Sequence, residues 1–158
     1  MGPLANRAQY RRVLSFIERG IADGAQLLTG GGRAEGCQRG YFVAPTIFSE
    51  VPLDSALWRE EIFGPVLCVR SFAGEQQAIA LANDSEYGLV ATVVSGNPER
   101  AARVAAELEA GVVWVNARQV IFPQTSWGGM KKSSIGRELG PWGIAAFQEI
   151  KHVVTALV

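Results

Sequence analysis

Between residues 66 and 115 the chain switches its apolar period four times, and that alternation limits the fold more than any other feature. Residues 66–72 are rich in β-branched and aromatic side chains and read as a strand. Residues 75–83 look helical, and residues 89–95 read as a buried strand. Asn97 then caps a helix with Pro98 in its first turn and Ala101, Val104, Ala105 and Leu108 on its inner face. Gly111 closes it, and Val112-Val113-Trp114-Val115 forms another apolar run. Strand, helix, strand, helix, strand predicts an α/β fold with a mostly parallel sheet and flanking helices joined by right-handed crossovers. Ligands of such sheets collect beyond the strand C-termini, which directs attention to the segments after Phe72, Ser95 and Val115.

Upstream, Tyr10, Val13, Leu14, Ile17 and Ile21 recur at helical intervals with Gly20 and Gly24 as stop signals, predicting an amphipathic helix over about residues 7–23. Residues 25–29 follow, then a glycine-rich loop over 30–40, then an apolar stretch over 41–48. Gly30-Gly31-Gly32 lacks the strand-to-helix setting of a phosphate loop and reads as a plain turn. From 116 to 142 both periods vanish in a segment rich in Gly, Ser, Pro and Lys, too long for a simple connector. Phe122 and Trp127 argue for order there. Residues 150–158 are strand-like and apolar, the kind of terminal strand that pairs with another subunit.

Composition excludes several classes of function. The 158 residues carry 15 Lys and Arg against 15 Asp and Glu, and a net charge of zero argues against a nucleic-acid partner read mainly through its phosphates. No apolar run nears the roughly 20 residues that cross a bilayer, so no membrane partner is expected. Two cysteines, Cys37 and Cys68, make neither a disulfide framework nor a four-thiolate site, and His152 is the one histidine, so no metal centre is expected. The N-terminus lacks the basic-then-apolar pattern of a secretory signal, and Asn6 stands where a myristoylation motif wants Ser or Thr. The expected compartment is the cytoplasm.

Three motifs carry a resemblance: Glu60-Glu61-Ile62-Phe63-Gly64-Pro65-Val66, Gly111-Val112-Val113-Trp114-Val115-Asn116, and Gly128-Gly129-Met130-Lys131-Lys132-Ser133-Ser134-Ile135-Gly136-Arg137-Glu138-Leu139-Gly140. In order and separation they resemble the aldehyde dehydrogenase superfamily, over essentially the whole chain but only about the last third of a usual member. The resemblance implies thiolate attack on an aldehyde, hydride transfer to NAD or NADP, and hydrolysis by a glutamate-activated water. It also implies that the catalytic cysteine, the general-base glutamate and the Rossmann half lie upstream of Met1. Cys37 sits in the glycine-rich loop and Cys68 in mid-strand, where a buried, inert thiol is expected.

The same resemblance suggests site residues. Glu61 matches the glutamate that accepts hydrogen bonds from the nicotinamide-ribose hydroxyls, a task for an acceptor-only carboxylate, and Phe63 matches the ring beside that ribose. Without the motif, the Glu60-Glu61 pair would read as solvated surface. Asn116, directly after a buried strand, can donate to a developing oxyanion or hold the loop backbone. Trp127, in Gln124-Thr125-Ser126-Trp127-Gly128-Gly129, resembles the aldehyde-tunnel position of the betaine-aldehyde and aminoaldehyde branch, where an indole face suits a cationic ammonium by about 0.5–2 kcal/mol. Ile121 and Phe122 are expected to wall the same tunnel; the other reading is a loop anchored in the core by aromatics. Val112 matches a position that tunes pocket width. Ala117-Arg118-Gln119-Val120 departs from the branch's usual Cys-Ser-Gln-Pro run. Glu138 matches a carboxylate that relays a proton through water, or else forms a buried ion pair with Arg137 or a lysine. Glu149 matches an interface carboxylate that pairs with arginines, and His152 reads as a strand-face or interface histidine.

Together these expectations describe a fragment of an NAD(P)-dependent aldehyde dehydrogenase. Residues 1–148 would be the C-terminal part of the catalytic domain and 149–158 an oligomerisation strand. The intact protein would oxidise an aldehyde to a carboxylic acid as a homo-oligomer, and the fragment would be inactive alone. The alternative is a non-catalytic oligomerisation or interaction module derived from the same family.

Overall fold

The computed structural model describes residues 1–157 and divides into two compact units, Met1–Phe72 and the remainder from Ala73. In the first, helix α1 (Arg7–Ala22) opens at Asn6, whose side chain accepts from the Gln9 amide, and its Val13, Phe16, Ile17 and Gly20 are buried at i, i+3, i+4 and i+7. Burying that stripe against Ala25, Val43, Phe48, Val51 and Leu57 forms the core of this unit. Gly20 lies close against α2: a Cβ on it would lie 2.5 Å from Leu57 Cδ2. Strand β1 (Gln26–Thr29) runs antiparallel to β2 (Thr46–Ser49), with a register shift between Leu27 and Thr29, and β2 pairs in parallel with β3 (Val66–Cys68). A single-turn helix, α2 (Ala56–Arg59), is capped by the Ser55 hydroxyl, which also donates to Asp23 Oδ2 over 2.6 Å.

The second unit contains α3 (Glu75–Asn83), β4 (Tyr87–Gly88), β5 (Val90–Val93), α4 (Pro98–Glu107), β6 (Val112–Val115), β7 (Met130–Lys131) and α5 (Gly140–Ala145). Strands β5 and β6 pair in parallel, Val90 with Val112 through Val93 with Val115, with α4 as the crossover. The α4 cap matches the expectation: Asn97 Oδ1 accepts from the Arg100 amide and Pro98 fills the first turn. Strands β4 and β7 form a short antiparallel ladder. The α3 and α4 ends are tied by Asn83, which donates to Glu107 O over 2.8 Å and accepts from Glu109 N over 2.9 Å.

The α/β class and the parallel pairings match the expectation, and the details differ in three places. The strand expected over 66–72 is only Val66–Cys68 and belongs to the sheet of the first unit, so the alternating elements do not share one sheet. Segment 116–142 is not wholly irregular, because β7 and the start of α5 fall inside it. The strand expected over 150–158 is not formed: no helix or strand follows Ala145 among the described residues, and Val158 lies outside them. A strand requires backbone partners, and an apolar pattern alone supplies none. Ile150 is 98% exposed, and Val153, Val154 and Leu157 are also exposed.

Phe48 is fully buried whereas Phe147 is 93% exposed. Phe48→Ala should therefore destabilise the first unit by about 3–5 kcal/mol, and Phe147→Ala should change stability by about 0.5 kcal/mol or less. Urea unfolding of the two variants checks this; similar losses would contradict the core assignment.

Candidate functional site

Glu61 and Phe63 lie on a short ledge between α2 and β3 in the first unit. Helix α1 holds this ledge by its backbone. Arg12 Nη2 donates to Glu61 O over 2.9 Å, and Gln9 Nε2 donates to Ile62 O over 3.0 Å and to Phe63 O. The Arg12 guanidinium also lies 3.7 Å from the Glu60 carboxylate and 4.8 Å from the centroid of the Phe16 ring. Gly64 follows flush against α1, since a Cβ there would lie 2.5 Å from Val13 Cγ2. Phe63 has φ 52°, a left-handed conformation that a non-glycine residue keeps only when its surroundings enforce it. With three carbonyls fixed, the Glu61 carboxylate and the Phe63 ring project outward. Phe63 is 74% exposed, and the Glu61 carboxylate has no ion pair or hydrogen bond among the described residues. A free, acceptor-only carboxylate on a fixed backbone fits a vicinal diol such as a ribose.

In the second unit the structure brings Trp127 and Glu138 together. Each donates its amide to the other's carbonyl over 2.7 Å, an isolated antiparallel bridge. The Trp127 ring lies 6.4 Å from that of Trp114 at 46°, and Trp114 Nε1 donates to Val120 O over 3.1 Å, so the two indoles brace the loop after β6. Ile121 and Phe122 are exposed on that loop, where Phe122 O accepts from the Thr125 amide over 3.0 Å. A cleft of about 810 Å³ beside the bridge is lined by Pro123, Arg137, Glu138, Leu139, Ile144 and Phe147. A smaller one of about 200 Å³ borders Trp127, Ser133, Ile135 and Glu138.

Of the two roles open for Asn116, the structure displays the backbone-holding one. Its Oδ1 accepts from Ser95 N over 2.9 Å and its Nδ2 donates to Ser95 O over 2.8 Å, tying the ends of β5 and β6 together while Asn116 itself sits at φ 49°. Nor does Glu138 pair with Arg137, whose Nη1 donates instead to Gly129 O and Gly136 O over 2.7 Å each. Lysine is committed elsewhere too: Lys131 Nζ reaches Asn83 O, Ser85 O and Glu109 Oε2 over 2.6, 2.9 and 2.6 Å. Glu149 and His152 are exposed in the tail. No cluster of three or more His, Cys, Asp and Glu side chains suited to a metal occurs among the described residues.

The aldehyde dehydrogenase family profile matches residues 1–153. The chain belongs to the aldehyde dehydrogenase family. It is 48% identical over 153 residues to a chloroplastic aminoaldehyde dehydrogenase of Arabidopsis thaliana, covering 97% of this chain and 30% of that protein. Against a chloroplastic betaine aldehyde dehydrogenase of Beta vulgaris it is 47% identical over 155 residues, covering 98% and 31%. Among solved structures, a Staphylococcus aureus betaine aldehyde dehydrogenase in complex with NAD+ superposes with a TM-score of 0.94 at 39% identity, over 98% of this chain and 32% of that one. A Mycobacterium tuberculosis aldehyde dehydrogenase complexed with NAD+ gives 0.89 at 40% identity, over 93% and 30%. The chain thus spans about 30% of the length of the relatives it matches. Peroxisomal members are among them as well, so membership in the family does not fix a compartment.

Sequence reading missed the close approaches that glycines make at the Trp127 loop. A Cβ on Gly111 would fall 1.7 Å from Gly128 O, and one on Gly129 would fall 3.1 Å from Leu89 Cα and 3.2 Å from Gly88 O. Such approaches seat the loop against β4 and β6 as only glycine allows. The signal is present in the quoted motifs, where Gly111 reads as a helix end and Gly128-Gly129 as loop. Sequence reading also missed Gln9 and Arg12, because the interactions that define them span about fifty positions.

Cys68 is half-buried, its Sγ 3.6 Å from Leu57 O, and burial pushes its thiol pKa up. At a given pH less thiolate forms, in line with an inert structural thiol. A folded-state value above the unfolded one stabilises the fold below the ordinary thiol range, and that contribution is lost as pH rises through the folded value. Cys68 should accordingly react with a thiol reagent at pH 8 more slowly in the folded than in the urea-unfolded chain; equal rates would contradict it. Asn116→Ala should cost about 1–3 kcal/mol, because it loses both bonds to Ser95 and leaves a methyl side chain at positive φ. Asn116→Gly, which relieves the backbone, should cost less by about 1 kcal/mol. Denaturant melts of the pair check the order, and a glycine variant weaker than the alanine one would refute it.

Proposed function

We propose that these residues form the C-terminal part of an NAD(P)-dependent aldehyde dehydrogenase that oxidises betaine aldehyde or an aminoaldehyde to the carboxylic acid. The observation that carries this reading is the Glu61–Phe63 ledge: a free carboxylate and an exposed ring on a backbone fixed by α1. Glu61 accepts hydrogen bonds from the nicotinamide-ribose hydroxyls and Phe63 packs beside that ribose. The cofactor, when bound, supplies a hydride acceptor. Trp127, braced by Trp114, offers an indole face to the cationic end of the aldehyde, with Ile121 and Phe122 along the same wall. The Glu138 carboxylate, free of Arg137, relays a proton through water. Asn116 holds the loop through Ser95, and its second amide N–H remains for an oxyanion. The nucleophile and general base come from outside these 158 residues, so the chain alone is inactive.

Glu149 and the exposed apolar tail serve assembly: residues 149–158 pair as an oligomerisation strand, and Glu149 meets arginines of the partner. A second reading, a non-catalytic interaction module, is favoured by the exposed Trp142, Ile144, Phe147 and Ile150. Catalysis distinguishes the two.

The test joins this chain to a polypeptide supplying the remaining two thirds of a betaine aldehyde dehydrogenase. Betaine aldehyde and NAD+ should then yield NADH, whereas the chain alone should yield none. Trp127→Ala should raise KM for betaine aldehyde about 3- to 30-fold while leaving that of a neutral aldehyde of similar size nearly unchanged. No NADH from the completed enzyme would sink the activity; equal KM shifts would sink the cationic substrate.

A further inference from the structure

We infer that Gln9 and Arg12 are positioning residues for the cofactor: two side chains one turn apart on α1 set where Glu61 and Phe63 stand by gripping their backbone. The inference rests on the reading of Glu61 as a ribose ligand and adds what makes that ligand effective. Three consecutive carbonyls, of Glu61, Ile62 and Phe63, are all engaged by these two residues. Gln9 commits its amide nitrogen to two of them, and an amide nitrogen carries two N–H groups, so its donor capacity is fully used. Arg12 is itself oriented by the Phe16 ring beneath it and by Glu60 beside it. Asn6, which caps α1, fixes the Gln9 backbone by accepting from its amide over 2.9 Å.

This grip is specific to the ledge. Phe63 is left-handed at φ 52°, and the following Gly64 abuts Val13, so the ledge is pressed onto α1 while its own backbone geometry resists. Without the Gln9 donors, Phe63 would relax toward ordinary φ and carry its ring away, and the Glu61 carboxylate two residues earlier would turn with it. Neither Gln9 nor Arg12 need touch the cofactor for this to matter, because a diol ligand acts through the placement of its two oxygens.

Two measurements test this. Gln9→Glu keeps size and shape but replaces both donors by acceptors facing carbonyls, and Arg12→Met keeps the stem without the donors. In the 158-residue chain, hydrogen exchange of the amides of residues 61–64 and of Val66 should speed up in both variants while those of β1 and β2 stay unchanged. In the holoenzyme containing this chain, fluorescence titration should show NAD+ affinity falling about tenfold, which is about 1.4 kcal/mol, with affinity for AMP unaltered. AMP is the adenosine half of the cofactor and does not reach the ledge, so parallel losses of NAD+ and AMP would mean general damage and overturn the inference. Unchanged NAD+ affinity with NAD+ binding intact in the unmutated enzyme would overturn it and leave the functional reading standing. An unmutated holoenzyme that binds AMP but gains nothing from the nicotinamide half would overturn both.

Discussion

Helix α1 works on two faces. Its apolar stripe, Val13, Phe16, Ile17 and Gly20, is buried against the strands and α2 of the first unit. One edge of that stripe, Gln9 and Arg12, reaches the carbonyls of residues 61–63, and Val13 leaves no room for a side chain at position 64. The apolar burial supplies the rigidity and the polar edge transmits it. A surface carboxylate on an unsupported loop would sample many orientations, and each would cost affinity on binding. Here the ordering is done during folding, by contacts separated by about fifty positions in the chain.

The second unit solves an equivalent problem differently. Its loop after β6 has little periodic structure, and order comes from specific close approaches: Gly111 beneath Gly128, the mutual amide bonds of Trp127 and Glu138, and Asn116 clamped to Ser95. Arg137 and Lys131 spend their charge mainly on backbone carbonyls. That use of cations satisfies loop carbonyls that no helix or sheet serves, and it leaves the Glu138 carboxylate without an ion pair among the described residues, beside an apolar cleft.

Much of this was legible locally. The α1 stripe, the Asn97-Pro98 start of α4 and the parallel β5–β6 pair all follow from periods and caps within about twenty-five residues. The three motifs were sufficient to point to the family. What escaped was non-local. Nothing between residues 66 and 72 says that β3 pairs with β2 of the first unit, because strand pairing is a matter of register between distant segments. The tail carries an apolar pattern whose expected partner is another subunit, and within the chain no strand follows Ala145 among the described residues. Asn116 stands out in sequence as a polar group directly after a strand, whereas Arg137 enters only as a candidate ion-pair partner of Glu138, a pairing the structure does not show. Their partners, Ser95 and the carbonyls of Gly129 and Gly136, were invisible because backbone atoms leave no trace in composition.

In the proposed enzyme, Glu61 is a ribose ligand held out by α1. The most direct measurement is a crystal structure of the completed enzyme with NAD+ bound. Both Glu61 carboxylate oxygens should lie at hydrogen-bond distance, about 2.5–3.0 Å, from the nicotinamide-ribose hydroxyls, with Gln9 and Arg12 still on the carbonyls of residues 61–63. A ribose bound elsewhere, with Glu61 still facing solvent, would contradict it.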